Sequence, residues 1–224
     1  MKIVLWLTAL LLILLNAIPI PRLSLKRKLI LKVPHRVFKP LGTVTTRVLT
    51  DYALKDIRAE DSKDVRILDV GCGSGAIGLL IARETKNYVI MTDIDMVAVK
   101  TAWDNALMNR IDSTVDVLRA DLISTFREQS IDVVVSNPPF LPIKISSIYH
   151  VSIAAGERCS LLLSLINQAA RVCKRQGKAM FTISSLSDLR SMFIYAKSRG
   201  FDLRIRGSVR GLFDRIFIVE LVRL

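Results

Sequence analysis

The chain is poor in the residues that staple or ligate. Its 224 residues include only three cysteines (Cys72, Cys159, Cys173) and two histidines (His35, His150). The cysteines stand in no CxxC or metal-ligand spacing, so they read as reduced thiols in a cytosolic domain and not as a disulfide framework. Neither histidine lies beside a cysteine or an acid cluster, so no metal site is expected. Internal repeats and low-complexity tracts are missing. Together with 51% hydrophobic residues, this excludes a disordered or collagen-like chain. Acid is missing from the first 50 positions, which carry Lys2, Arg22, Lys26, Arg27, Lys28, Lys32, Arg36, Lys39 and Arg47. Those nine charges account for most of the net +13, leaving +4 for residues 51–224. A nucleic-acid footprint needs a basic face on the folded domain, and here the excess sits mainly outside it.

Charge of either sign is absent from Ile3 to Pro21, and Ile3–Leu15 is apolar except for Thr8. Eighteen helical residues at ~1.5 Å each reach about 27 Å, close to the ~30 Å of a hydrocarbon core. Pro19 and Pro21 end the run, and a basic cluster from Arg22 to Lys39 follows. The reading is a membrane helix over 1–21, a basic linker over 22–40 containing Pro34 and Pro40, and a folded body over 41–224 held in the cytoplasm. A signal peptide is the competing reading, but Asn16-Ala17-Ile18 makes a poor cleavage site; a misassigned start is another.

From about Asp64 the pattern alternates strand and helix. Val65–Val70, Tyr88–Thr92, Val115–Arg119, Ile131–Ser136 and Lys178–Ile183 read as strands. Helices are expected over Ala76–Arg83, Met96–Asn109, Leu161–Cys173 and Ser187–Arg199. Two late strands, Arg204–Arg206 and Ile216–Leu221, flank a loop with Gly207 and Gly211 and suggest an antiparallel pair at the sheet edge. The length suits one sizeable core. The fold class is α/β, with a mostly parallel sheet covered on both faces.

The chemistry is carried by the turns after the strands. Asp69-Val-Gly71-Cys-Gly73-Ser-Gly75 follows a strand and opens a helix, where glycines let the backbone approach a ligand closely. Asp93 ends the next strand, 18 residues after Gly75, where a carboxylate can accept both hydroxyls of a ribose. Gly73-Ser-Gly75-Ala-Ile-Gly78 also satisfies the dinucleotide fingerprint, which alone is weak evidence. Asp69 separates the classes: it suits a cofactor with a cationic amino-acid end and repels a pyrophosphate at close range. Asp121, after the third strand, can accept from an adenine amino group. Asn137-Pro138-Pro139-Phe140 follows the fourth.

This set resembles the class I S-adenosylmethionine-dependent methyltransferases. Asn-Pro-Pro-Phe narrows the resemblance to those that methylate a planar NH2 nitrogen. More narrowly, the chain is similar to the HemK-like release-factor glutamine methyltransferases, in their short archaeal and eukaryotic branch. The carriers are Val37-Phe-Lys-Pro40, Leu68–Gly75, Thr92-Asp-Ile-Asp95 with Asn105, Ala120-Asp-Leu122, Asn137–Pro142 and Ala155-Gly-Glu157. The resemblance implies a seven-stranded Rossmann-like sheet and S-adenosyl-L-methionine as cofactor. The implied cofactor residues are Asp69, Gly71, Gly73, Gly75, Asp93, Asp121 and Asn137, and the acceptor loop is Asn137, Pro138, Pro139 and Phe140.

An amide or adenine amino nitrogen is a poor nucleophile because its lone pair is delocalised. The Asn137 side-chain oxygen and the Pro138 carbonyl can each accept one of its N–H bonds, favouring the pyramidal form of the transition state. The prolines stiffen the loop and add no competing donor, and Phe140 would stack on the planar group. A protein glutamine, on a partner such as a translation release factor, is the favoured acceptor. The alternatives are an RNA or DNA base amino group, for which Arg199, Arg204, Arg206 and Arg210 form a basic group, and a non-catalytic tethered binding protein.

Overall fold

The computed structural model describes residues 7–11, 14, 20–25, 29–35, 37–39, 44–59, 64–139, 141, 154–156, 159–211 and 214–224. A two-stranded antiparallel sheet comes first, β1 (Ile20–Leu25) and β2 (Leu29–Val33). Helix α1 (Val44–Ala59) leads into an alternating series. That series runs β3 (Ile67–Val70), α2 (Ala76–Thr85), β4 (Val89–Asp93), α3 (Met96–Met108) and β5 (Val115–Arg119). It continues with β6 (Ile131–Ser136), α4 (Ser160–Val172), β7 (Cys173–Ser184) and α5 (Leu189–Ser198), and closes with β8 (Phe201–Arg210) and β9 (Arg215–Arg223).

β3 to β9 form one seven-stranded sheet in the order β5-β4-β3-β6-β7-β9-β8. The pairs from β5 across to β7 are parallel; β9 lies antiparallel between β7 and β8. The late antiparallel pair thus sits at the sheet edge as the sequence implied, with both strands longer than expected.

Central strands buried on both faces read as continuous apolar runs. In β6 the three valines divide between the two cores: Val133 and Val135 face α1, α2 and α3, and Val134 faces α4 and α5. In β3, Ile67 joins the first core while Leu68 and Val70 join the second. This alternation places Asp69 on the α2 face of the sheet.

Two N-terminal expectations are corrected. The stretch 22–40 is not a free linker, because Leu29, Leu31 and Val33 of β2 are buried in the first core while Ile30 and Lys32 face out. Asn105 of α3 and Asn109, the residue that caps its C-terminus, hold alternate residues of β2 by their backbone. Asn109 accepts from Ile30 N at 3.0 Å and donates to Ile30 O at 2.6 Å, and Asn105 does the same for Lys32 at 2.8 and 3.0 Å. The membrane anchor expected over residues 3–20 is also not found: among the described residues no helix is long and apolar enough to cross a membrane. Of this stretch residues 7–11 and 14 are helical, with Thr8 and Ala9 buried, and Ile20 already opens β1. Leu7, Leu10 and Leu14 are exposed; an apolar composition does not by itself make a helix of membrane-spanning length, and the membrane-anchored localisation drawn from it falls with it.

Candidate active site

In an open α/β sheet ligands bind beyond the carboxyl ends of the strands, where the strand order reverses. Here that point is β3, whose neighbours are β4 on one side and β6 on the other. The glycine loop after β3, Asp93 at the end of β4, Asp121 after β5 and Asn137 after β6 all lie along this edge.

The loop is held from β4. Gly71 N and Cys72 N both donate to Thr92 O, at 2.8 and 2.9 Å, and Gly73 N donates to Asp93 Oδ2 at 2.9 Å. Two glycines have steric reasons. Gly71 has φ +69° and nothing within 4 Å of where a Cβ would stand, so its outer side is open to a ligand. Gly75 has φ +80°, and its Cβ would meet the Cβ of Ala102 at 3.2 Å, which fixes how closely α2 approaches α3. Val37, from the segment before α1, lies over the loop with Cγ1 3.7 Å from a Cβ built on Gly73.

Asp69 is buried at 1% exposure, and its Oδ2 accepts from Gly78 N at 2.8 Å. A Cβ on Gly78 would meet Met91 Sδ at 2.6 Å, so the third glycine of the dinucleotide-like pattern serves helix–strand packing and this bond. The other oxygen, Oδ1, is the one buried side-chain polar atom without a hydrogen-bond partner among the described residues. Burial, with Asp93 nearby, pushes the Asp69 carboxyl up to about 7, against the pull of the Gly78 N–H. An orphaned, buried carboxylate oxygen beside an open glycine loop fits a ligand that brings a cation, and disfavours one that brings a phosphate.

Asp93 accepts from Gly73 N through Oδ2 and from Asp95 N through Oδ1, both at 2.9 Å. Each oxygen keeps a lone pair for a diol. Burial raises the Asp93 carboxyl as well, opposed chiefly by the Asp95 and Gly73 N–H groups. Asp121 is brought alongside by Ala120 N donating to Asp93 O at 3.0 Å, and it is exposed in the turn that follows.

The Asn-Pro-Pro turn leaves β6 next to the glycine loop. Val70 and Ser136 are register partners, and Ser136 Oγ donates to Val70 O at 2.7 Å, so Gly71 and Asn137 follow on adjacent strands. Asn137 is half-buried, Pro138 is buried and Pro139 is half-buried; Phe140 lies outside the described residues. The sequence reading missed the residue behind Asn137: Thr182 of β7, with no exposure, donates from Oγ1 to Asn137 Oδ1 at 2.6 Å. The signal was present as two polar residues, Thr182 and Ser184, at the carboxyl end of an apolar strand. The basic group named from sequence is partly structural. Arg206 pairs with Glu220 at 2.6 Å and with Asp56 at 3.4 Å, and Arg199 lies over the Tyr195 ring.

Strand order, the reversed β9 and a ligand-ready switch point define the class, a Rossmann-like methyltransferase domain. The chain belongs to the methyltransferase small domain family, whose profile matches residues 46–194. That family uses S-adenosyl-L-methionine, and the residues present are chemically compatible with it: Asp69 Oδ1 is a buried oxygen without a partner and Asp93 has lone pairs to spare. The chain is 35% identical over 117 residues to a release factor glutamine methyltransferase of Lactococcus lactis, covering 51% of this chain but 40% of that protein. It is 26% identical over 169 residues to a Methanocaldococcus jannaschii protein provisionally named as a protein N5-glutamine methyltransferase, covering 73% and 84%. A tRNA1(Val) (adenine(37)-N6)-methyltransferase of Pedobacter heparinus is 27% identical over 161 residues, covering 71% and 68%. Among solved structures, the E. cuniculi Mtq2–Trm112 complex, described as responsible for methylation of the eRF1 translation termination factor, shares the fold with a TM-score of 0.65 at 19% identity. That match covers 84% of this chain and 99% of the other.

Proposed function

We propose that this chain methylates a planar NH2 nitrogen, the side-chain amide of a glutamine on a protein of the translation release-factor type. The observation that carries the reading is Asn137 beside the glycine loop, with the orphaned Asp69 Oδ1 on the next strand over. S-Adenosylmethionine, when bound, would supply a methyl group whose bond to the sulfonium breaks to leave neutral S-adenosylhomocysteine; the methylated nitrogen, acidic once its lone pair is used, would pass its proton to an acceptor oxygen or water, so neither a metal nor a strong general base is required. The residues of the chain do the positioning. Asn137 Oδ1 keeps one lone pair beyond the bond from Thr182, and it and the Pro138 carbonyl are the two acceptors for the N–H bonds of the incoming amide. Pro138 and Pro139 keep that turn stiff and free of backbone donors. Asp69, Gly71, Gly73, Gly75, Asp93 and Asp121 are assigned to the cofactor. The unit proposed to carry the activity is residues 41–224 together with the β1–β2 hairpin packed on α3.

The names of the Lactococcus and Methanocaldococcus relatives support glutamine as the acceptor. The Pedobacter relative supports a second reading, an adenine amino group in RNA, since the same turn can receive either planar nitrogen. Incubating the full chain with methyl-labelled S-adenosylmethionine and separated protein and RNA fractions decides between them. The proposal expects label in protein, released as methylamine on acid hydrolysis; label confined to RNA overturns it.

A further inference from the structure

Asn137 follows the last residue of β6, where a side chain is free to swing unless something holds it. What holds it comes from the next strand. Ser136 is the register partner of Phe181, so Thr182 emerges level with Asn137. β7 is paired on both sides here, with β6 through Ser136 and with β9 through Ile218 opposite Thr182. Its backbone is therefore fixed. Thr182 is β-branched and completely buried, so its χ1 is stiff and its hydroxyl direction is set by the sheet. That hydroxyl makes a single side-chain hydrogen bond among the described residues, at 2.6 Å to Asn137 Oδ1.

We propose that Thr182 is a positioning residue: it fixes the Asn137 carboxamide so that one defined oxygen lone pair faces the acceptor nitrogen. This rests on the reading of Asn137 as the group that receives that nitrogen. Thr182 touches neither cofactor nor acceptor; it acts through Asn137. Its hydroxyl takes one of the two lone pairs of Oδ1 and removes the rotational freedom of the amide about χ2, leaving the second lone pair in one direction. An N–H bond can then be accepted in the geometry that methyl transfer requires, and a displacement of about 1 Å there can reduce the rate by about 100-fold.

Thr182→Val keeps the shape of the side chain and removes the donor; Thr182→Ser keeps the donor. With the full chain bound to S-adenosylhomocysteine, the Asn137 side-chain NH2 pair is identified in a 15N spectrum by its loss in Asn137→Ala. The proposal expects a rigid pair in the wild type and in Thr182→Ser, with an order parameter of about 0.85, falling below about 0.6 in Thr182→Val. Calorimetric affinity for S-adenosylhomocysteine should stay within about threefold in all three proteins, because neither the glycine loop nor Asp69 is touched. In a methylation assay on a purified release factor, Thr182→Val should lower kcat by about tenfold or more with KM little changed, and Thr182→Ser should restore it. An Asn137 amide that stays as rigid in Thr182→Val as in the wild type overturns the proposal. So does a parallel loss of cofactor affinity, melting temperature and activity in both variants. If the wild type methylates no release factor while the 15N result holds, the substrate reading fails and the positioning role stands.

Discussion

Asp69 carries the most informative charge in the site. Its carboxyl is pushed up to about 7 from an ordinary 3.8, by burial above all. The native chain keeps this proton until about pH 7 while the unfolded chain releases it near 3.8, so its contribution to stability falls as pH rises between those values. An ammonium placed at Oδ1 reverses the preference, because it stabilises the carboxylate. Cofactor affinity should therefore rise as pH increases from 6 towards about 7.5, short of the pH of about 7.7 at which an α-amino group loses its own proton. Calorimetry in buffers of different ionisation enthalpy should show proton release on binding at pH 6, and Asp69→Asn should abolish the release while weakening binding. Affinity independent of pH over that range contradicts the assignment. Asp93→Ala removes the acceptor of both Gly73 N and Asp95 N as well as the diol site, and should weaken S-adenosylhomocysteine binding by at least about tenfold.

At the scale of elements, the hairpin and the asparagines in and capping α3 show where sequence was legible and where it was not. β6 was readable because a central parallel strand is mostly apolar, and β5, at the sheet edge, because its valines alternate with polar residues; both begin and end where the pattern put them. The turns were readable because glycine, aspartate and asparagine-proline stand at strand ends for steric and hydrogen-bonding reasons. The hairpin was hidden. β2 has five residues with only three facing in, set among lysines and prolines, so local composition reads as linker. Its pairing with Asn105 and Asn109 spans more than seventy residues, and no local pattern encodes it. β7 starts earlier than expected, at Cys173, because an irregularity between Ile131 and Val133 of β6 lets it pair before its apolar run begins. Asn105→Ala leaves the N–H and C=O of Lys32 and the Ser74 carbonyl without their partner. The Ser74 carbonyl is buried and the two Lys32 groups only partly so; at about 1–3 kcal/mol for a buried group left unpaired, with less for those that water can reach, the chain should lose about 2–4 kcal/mol in urea unfolding. An unchanged midpoint shows that the hairpin does not belong to the cooperative unit.

Over the whole molecule, the division of labour follows the sheet. The face bearing α1, α2 and α3 supplies the glycine loop, Asp69 and the helix that locks the hairpin; the face bearing α4 and α5 supplies the second core. The site lies on the edge where strands from both halves end. This layout was legible from the order of strands and turns. Sequence did not show that β7 reaches behind the Asn-Pro-Pro turn, because Thr182 and Asn137 meet only once β6 and β7 are paired.

The most direct test of this account is transfer of labelled methyl from S-adenosylmethionine to a cellular protein fraction by wild type and Asn137→Ala, alongside calorimetry of each with S-adenosylhomocysteine. The account predicts that Asn137→Ala loses at least about 100-fold in transfer while its affinity stays within about threefold of wild type. Transfer by Asn137→Ala at the wild-type rate contradicts it.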